Sequence, residues 1–145
     1  MPPDLSGTWT LVAWRRIFED GHVTLPLGDD AQGLLIYTPD GRMSVVIIGA
    51  NRAPIESDDP PLGGDVQARA DAYSTALAYY GTYEVTDDAV IHHVDESLFP
   101  NWTGAEQQRQ YDLDGRQLVL RTQPMPNPAG GTVVNELAWE REERG

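Results

Sequence analysis

Residues 33 to 49, GLLIYTPDGRMSVVIIG, place two apolar runs on either side of Pro39-Asp40-Gly41, and this stretch decides the fold class. Proline presets a turn backbone and glycine takes conformations that other residues avoid, so the flanking runs read as paired strands at 33–38 and 42–49. Asp20-Gly21, Asp87-Asp88 and Asp114-Gly115 punctuate the chain in the same way. Between these turns the alternation predicts further strands at 7–19, 22–25, 81–86, 89–96, 106–113, 116–122 and 132–141. About eight or nine strands in hairpin order point to an all-β fold, either a closed up-and-down antiparallel barrel or a sandwich.

The period of two breaks once. Val66, Ala70, Tyr73, Leu77 and Tyr80 recur at steps of three and four, which predicts a helix over 65–80 with that face packed on the sheet. Asp65 is placed to cap its start and Gly81 to end it. Before it, ANRAPIESDDPPLGG at 50–64 reads as a loop able to lie over a barrel mouth, and PMPNPAGG at 124–131 as a second loop. No repeat or linker divides the 145 residues, so one domain over 1–145 is expected.

Composition narrows the partners. With 23 acidic against 10 basic residues, the formal charge of -13 repels phosphate backbones and anionic lipid surfaces, which argues against nucleic acid and membrane as partners. The absence of cysteine removes disulfides, thiolate nucleophiles and thiolate zinc sites. The start, MPPDLSGTWT, lacks the basic and apolar segments of a secretory signal, and the run from Val45 to Ala50 is far below the ~20 residues that span a bilayer. A soluble, cytoplasmic protein is the expectation, and the sequon Asn101-Trp102-Thr103 is then a chance match. Walker, dinucleotide-binding, HExxH and G-x-S-x-G motifs are missing, so no cofactor and no metal is expected. Glu56, Asp58 and Asp59, in a Pro-rich loop, read most simply as solvated charge, with a calcium site as the alternative.

Three segments, LSGTWTLVAW at 5–14, GLLIYTPDGRMSV at 33–45 and VIHHVDESLFPNWTG at 90–104, make the chain similar to the bacterial lipocalin-like domain family. The resemblance implies a calycin-type barrel of about eight strands around an interior cavity. It further implies that Trp9 plugs the closed end, with Arg141 as the cation stacked over it. Related calycin-type barrels include cyclases and isomerases of secondary metabolism.

Strand parity selects the candidate site. His92 shares a face with Val90 and Val94, so it is placed inside and His93 outside, which also prevents the two rings from chelating one metal. The plain reading of the inner ring is a neutral imidazole bonded to a tyrosine or to backbone; the alternative is a general acid or base. Arg109 shares its face with Tyr111 and Leu113, and a guanidinium turned into a barrel needs an anion, either an internal carboxylate or the ligand. On the last strand Val133, Asn135, Leu137 and Trp139 face inward, making Asn135 a buried amide that requires partners. Tyr37, Tyr83 and Tyr111 are candidates to present phenols, and Trp102 reads as a plug beyond its strand.

Three functions compete for this set. A binding protein, monomer or homodimer, would hold a small hydrophobic molecule among Trp9, Met43, Val45, Ile47 and Tyr83, oriented by Arg109, Asn135 and His92. A cofactor-independent cyclase or isomerase would use the same cavity, with His92 or Tyr83 moving a proton and Arg109 steadying negative charge. A filled barrel acting as an interaction module is the third.

Overall fold

The structure, a computed structural model, describes residues 1–143. Its strands are β1 (Gly7–Phe18), β2 (Val23–Thr24), β3 (Gln32–Tyr37), β4 (Arg42–Ile48), β5 (Ala76–Val85), β6 (Ala89–Ser97), β7 (Glu106–Asp114), β8 (Gln117–Arg121), β9 (Met125–Pro126) and β10 (Thr132–Arg141). Eight of them close into an antiparallel barrel. Closure is made by β1, which pairs with β3 along its first residues and with β10 from Trp9 to Phe18. The short β2 and β9 are ribbons added to β1 and β10. Among the described residues no helix is long and apolar enough to cross a membrane.

The 33–49 hairpin forms as its pattern dictates. Leu35 pairs with Val45 and Tyr37 with Met43, and all four are buried together with Ile47. Trp9 is fully buried at the end of the barrel where β1 starts, its indole N–H donating to the Leu5 carbonyl at 3.0 Å. The Arg141 guanidinium stands 4.4 Å from the Trp9 ring centroid, the stacked cation the resemblance implies. Gly7, at φ 137°, takes a backbone conformation that L residues avoid, and Arg141 Nε stands 3.7 Å from where a Cβ would be.

The helix differs from expectation. α1 spans only Val66–Ser74, and β5 starts at Ala76 rather than at 81, so Leu77 and Tyr80 are strand residues. Asp65 does cap α1, accepting from the Ala68 N–H at 3.2 Å, but Thr75 ends it instead of Gly81. None of its residues is buried, so the expected packing of a Val66 and Tyr73 face on the barrel is not formed. The steps of four and three from Val66 to Tyr80 cross a boundary between two elements and describe neither.

Gly81 serves a different purpose. It lies where β5 meets a bulge in β6 whose extra residue is Asp95, between the pairs Tyr80–Glu96 and Gly81–Val94. A Cβ here would stand 1.9 Å from the His93 carbonyl oxygen, a clash with main chain that no rotamer relieves. Gly81→Ala is therefore expected to lose at least the ~1 to 3 kcal/mol typical of overpacking. An unchanged urea midpoint would overturn this account of the crossing.

Candidate functional site

A cavity of about 270 Å³ opens at the end of the barrel opposite Trp9. Its walls come from the late residues of β1, β4 and β8, the early residues of β5 and β7, Asn135, Leu137 and Trp139 of β10, Leu35 of β3 and His92 of β6. Ile47, Leu77, Leu120 and Leu137 supply apolar surface, and Trp102, from a 3₁₀ turn at Pro100–Trp102, stands at the side. Trp102, expected as a plug, instead lines the cavity, packed edge-on to Tyr79 and Phe99 at centroid distances of 5.9 and 5.5 Å.

Of the residues singled out from the sequence, Val45, Ile47, His92, Arg109, Asn135 and Trp139 come together here. Trp9, Tyr37, Met43, Tyr83 and Tyr111 lie outside the cavity, because its closed half is filled with side chains. Tyr83 donates to the Thr38 carbonyl at 2.8 Å and Tyr111 to the Thr86 carbonyl at 2.6 Å, so both phenols tie down chain outside the cavity. Parity identifies which face of a strand turns inward, but not how deep along the barrel a residue falls.

Two polar lining residues, Arg16 and Tyr79, escape the alternation pattern. Val12 is an extra residue in β1, between the pairs Leu11–Trp139 and Ala13–Ala138. This bulge carries the inward face from Trp9 and Leu11 to Trp14 and Arg16. Tyr79 was hidden by the assignment of its segment to a helix. Asn135 finds the partners a buried amide needs: its Oδ1 accepts from Trp14 Nε1 at 3.0 Å and from Arg16 Nε at 3.2 Å.

The cations are the site's main electrostatic feature. Arg15, Arg42, Arg116 and Arg121 each pair with a carboxylate, and Arg141 stacks on Trp9. Among the described residues Arg109 is bonded only to neutral oxygens, Gln107 Oε1 at 3.0 Å and the Gln108 carbonyl at 3.2 Å. Among the described residues neither Arg16 nor Arg109 has a carboxylate partner, and both line the cavity.

His92 is buried between two tyrosines, its Nε2 2.6 Å from the Tyr37 hydroxyl and its Nδ1 2.6 Å from that of Tyr79. Burial lowers its pKa to about 3, helped by the charges of Arg109 and His93. Burial raises the phenols, Tyr37 well above its ordinary value and Tyr79 to about 12, against an opposing pull from Arg109. His93 lies on the outside, within 2.9 Å of Glu84 and 3.3 Å of Glu106.

A neutral imidazole inside the fold makes stability depend on pH. The unfolded chain protonates this ring near 6.5 and the folded one near 3, so across that window the unfolded state binds more protons. The stabilisation is complete above pH 6.5 and falls as pH drops towards 3, with a limiting slope of about 1.4 kcal/mol per pH unit. Urea melts of wild type and His92→Gln at pH 7, 5.5 and 4 are expected to show a shallower loss in the variant. Parallel losses would mean that other groups carry the acid sensitivity.

The model of the lipocalin-like domain matches residues 6–142, nearly the whole chain. The chain belongs to the lipocalin-like domain family. No curated protein and no solved structure gives a significant match to this lipocalin-like protein. A lipocalin-like barrel with an interior cavity is an architecture suited to small-molecule binding. The chemistry of the cavity has to be taken from its own side chains.

Proposed function

We propose that this lipocalin-like barrel binds a small, largely apolar molecule by an anionic group, with Arg109 and Arg16 as the cations that receive it. The observation that carries this reading is the pair of guanidiniums without carboxylate partners among the described residues, on a cavity whose other walls are mainly aliphatic and aromatic, with Gln107, Thr122 and Asn135 as neutral polar groups. Both guanidiniums are half-buried, so each keeps contact with water while facing the cavity, and an anionic group that enters meets cations that no described carboxylate neutralises. The volume, about 270 Å³, lies at the small end of ligand pockets and suits a short acyl chain or one ring system.

Proton transfer has less support. Both nitrogens of His92 are engaged by tyrosines, and its low pKa makes it a weak base near neutrality. Tyr83, the other candidate for moving a proton, has its hydroxyl on Thr38.

Three of the four tryptophans, Trp14, Trp102 and Trp139, line the cavity, so intrinsic fluorescence reports its occupation. Titration with decanoate is expected to give saturable quenching. Methyl decanoate, equally apolar but uncharged, is expected to bind about tenfold or more weaker, the loss of a charge-assisted contact. Equal affinity for acid and ester would overturn the anionic-ligand reading.

A further inference from the structure

The Tyr37–His92–Tyr79 array holds more protons than its internal hydrogen bonds use. Neutral His92 brings one N–H and the two tyrosines bring one O–H each, while the array contains two contacts, Tyr37 to Nε2 and Nδ1 to Tyr79. One tyrosine donates to the bare ring nitrogen and the other accepts from the ring N–H. The accepting tyrosine therefore keeps its own O–H for a further partner.

The surroundings decide which tyrosine that is. Tyr37 is 1% exposed, its ring packed 4.5 Å from that of Tyr83, and its hydroxyl has no other hydrogen-bond partner among the described residues. If Tyr37 were the acceptor, taking the proton of Nε2–H, its own buried O–H would be left unsatisfied, at a cost of about 1 to 3 kcal/mol. Tyr79 lines the cavity together with Arg109. Its spare O–H has somewhere to go.

We infer that Tyr37 and His92 act as positioning residues which hold the ring in its Nδ1–H form, so that Tyr79 donates its hydroxyl to the same anionic head group that Arg109 receives. This rests on the proposed binding function and narrows its ligand class. The head group needs two acceptor oxygens that a guanidinium and a phenol share, which fits a carboxylate and disfavours an amine or another group that must donate. A ligand donor would instead have to turn the Tyr79 proton back to Nδ1 and leave the Tyr37 proton stranded. The array thus selects acceptors through Tyr37, which lies outside the cavity.

Two-bond nitrogen–proton NMR on uniformly ¹⁵N-labelled protein tests this directly. In the wild-type complex with decanoate, His92 is expected to show a pyrrole-like Nδ1 and a pyridine-like Nε2. A proton on Nε2 would overturn the inference, and this measurement needs no variant to fold. In unliganded Tyr37→Phe the donor to Nε2 is gone, so part of the population is expected to carry its proton on Nε2. An unchanged tautomer there would overturn the role given to Tyr37. Tyr79→Phe, which keeps the ring, is expected to weaken decanoate by about 10- to 100-fold, as one hydrogen bond to a charged group is worth. If the wild-type protein fails to bind decanoate, the binding function itself falls. If wild type binds and Tyr79→Phe binds equally well, only the present inference falls.

Discussion

Trp9→Ala is expected to destabilise the domain by about 3 to 5 kcal/mol, the usual cost of truncating a large aromatic in a core. Several terms act together at this position. The ring is entirely hidden, so truncation gives up its apolar burial and leaves a void beside Leu5, Leu35 and Leu118. The Leu5 carbonyl loses the indole N–H, and Arg141 loses the ring it stacks on. That lost stacking alone amounts to about 0.5 to 2 kcal/mol. Because β1 pairs with both β3 and β10 around Trp9, the damage falls where the barrel closes. Urea unfolding followed by far-ultraviolet circular dichroism measures the loss, and a value below about 1 kcal/mol would remove Trp9 from the role of plug.

The barrel was legible in the sequence wherever strands alternate without interruption. The 33–49 hairpin, the inward His92 with its outward neighbour His93, and the inward Asn135 and Trp139 all follow from a period of two around turn residues. Legibility ended at irregularities that carry no residue signature. The extra Val12 in β1 reverses the parity of everything after it, and Arg16, half of the cationic pair, was lost to that reversal. At the helix the difficulty was length. A nine-residue helix followed after one residue by a strand yields apolar steps of three and four by coincidence, which hid Tyr79 within a supposed helix, off its apolar face. Depth along the barrel was also invisible, since Met43 and Tyr83 satisfy the same alternation as Val45 and His92 yet fall in the filled half. What decides depth is which end Trp9 closes, a three-dimensional fact.

Arg109→Met is expected to weaken the binding of decanoate by about 2 to 5 kcal/mol, the largest effect of any substitution in the cavity. The magnitude follows from what the head group meets after the change. In wild type a carboxylate that leaves water gains a guanidinium in a partly enclosed cavity, where the attraction is stronger than at an open surface. In the variant it loses that partner while the surrounding -13 chain still repels it. Methionine keeps much of the stem's apolar contact, so the loss reports charge rather than packing. Arg109 also depresses the pKa of His92, and its removal relieves one of the pressures that keep that ring neutral. Arg16→Met serves as the internal comparison: Arg16 is anchored through Nε to Asn135, so it tests whether the second guanidinium shares the anion. Methyl decanoate should bind wild type and Arg109→Met alike, since it carries no charge to lose. An Arg109→Met protein that still prefers the acid to the ester by the wild-type margin would move the anion site away from Arg109, and with it the basis for placing an acid in this barrel.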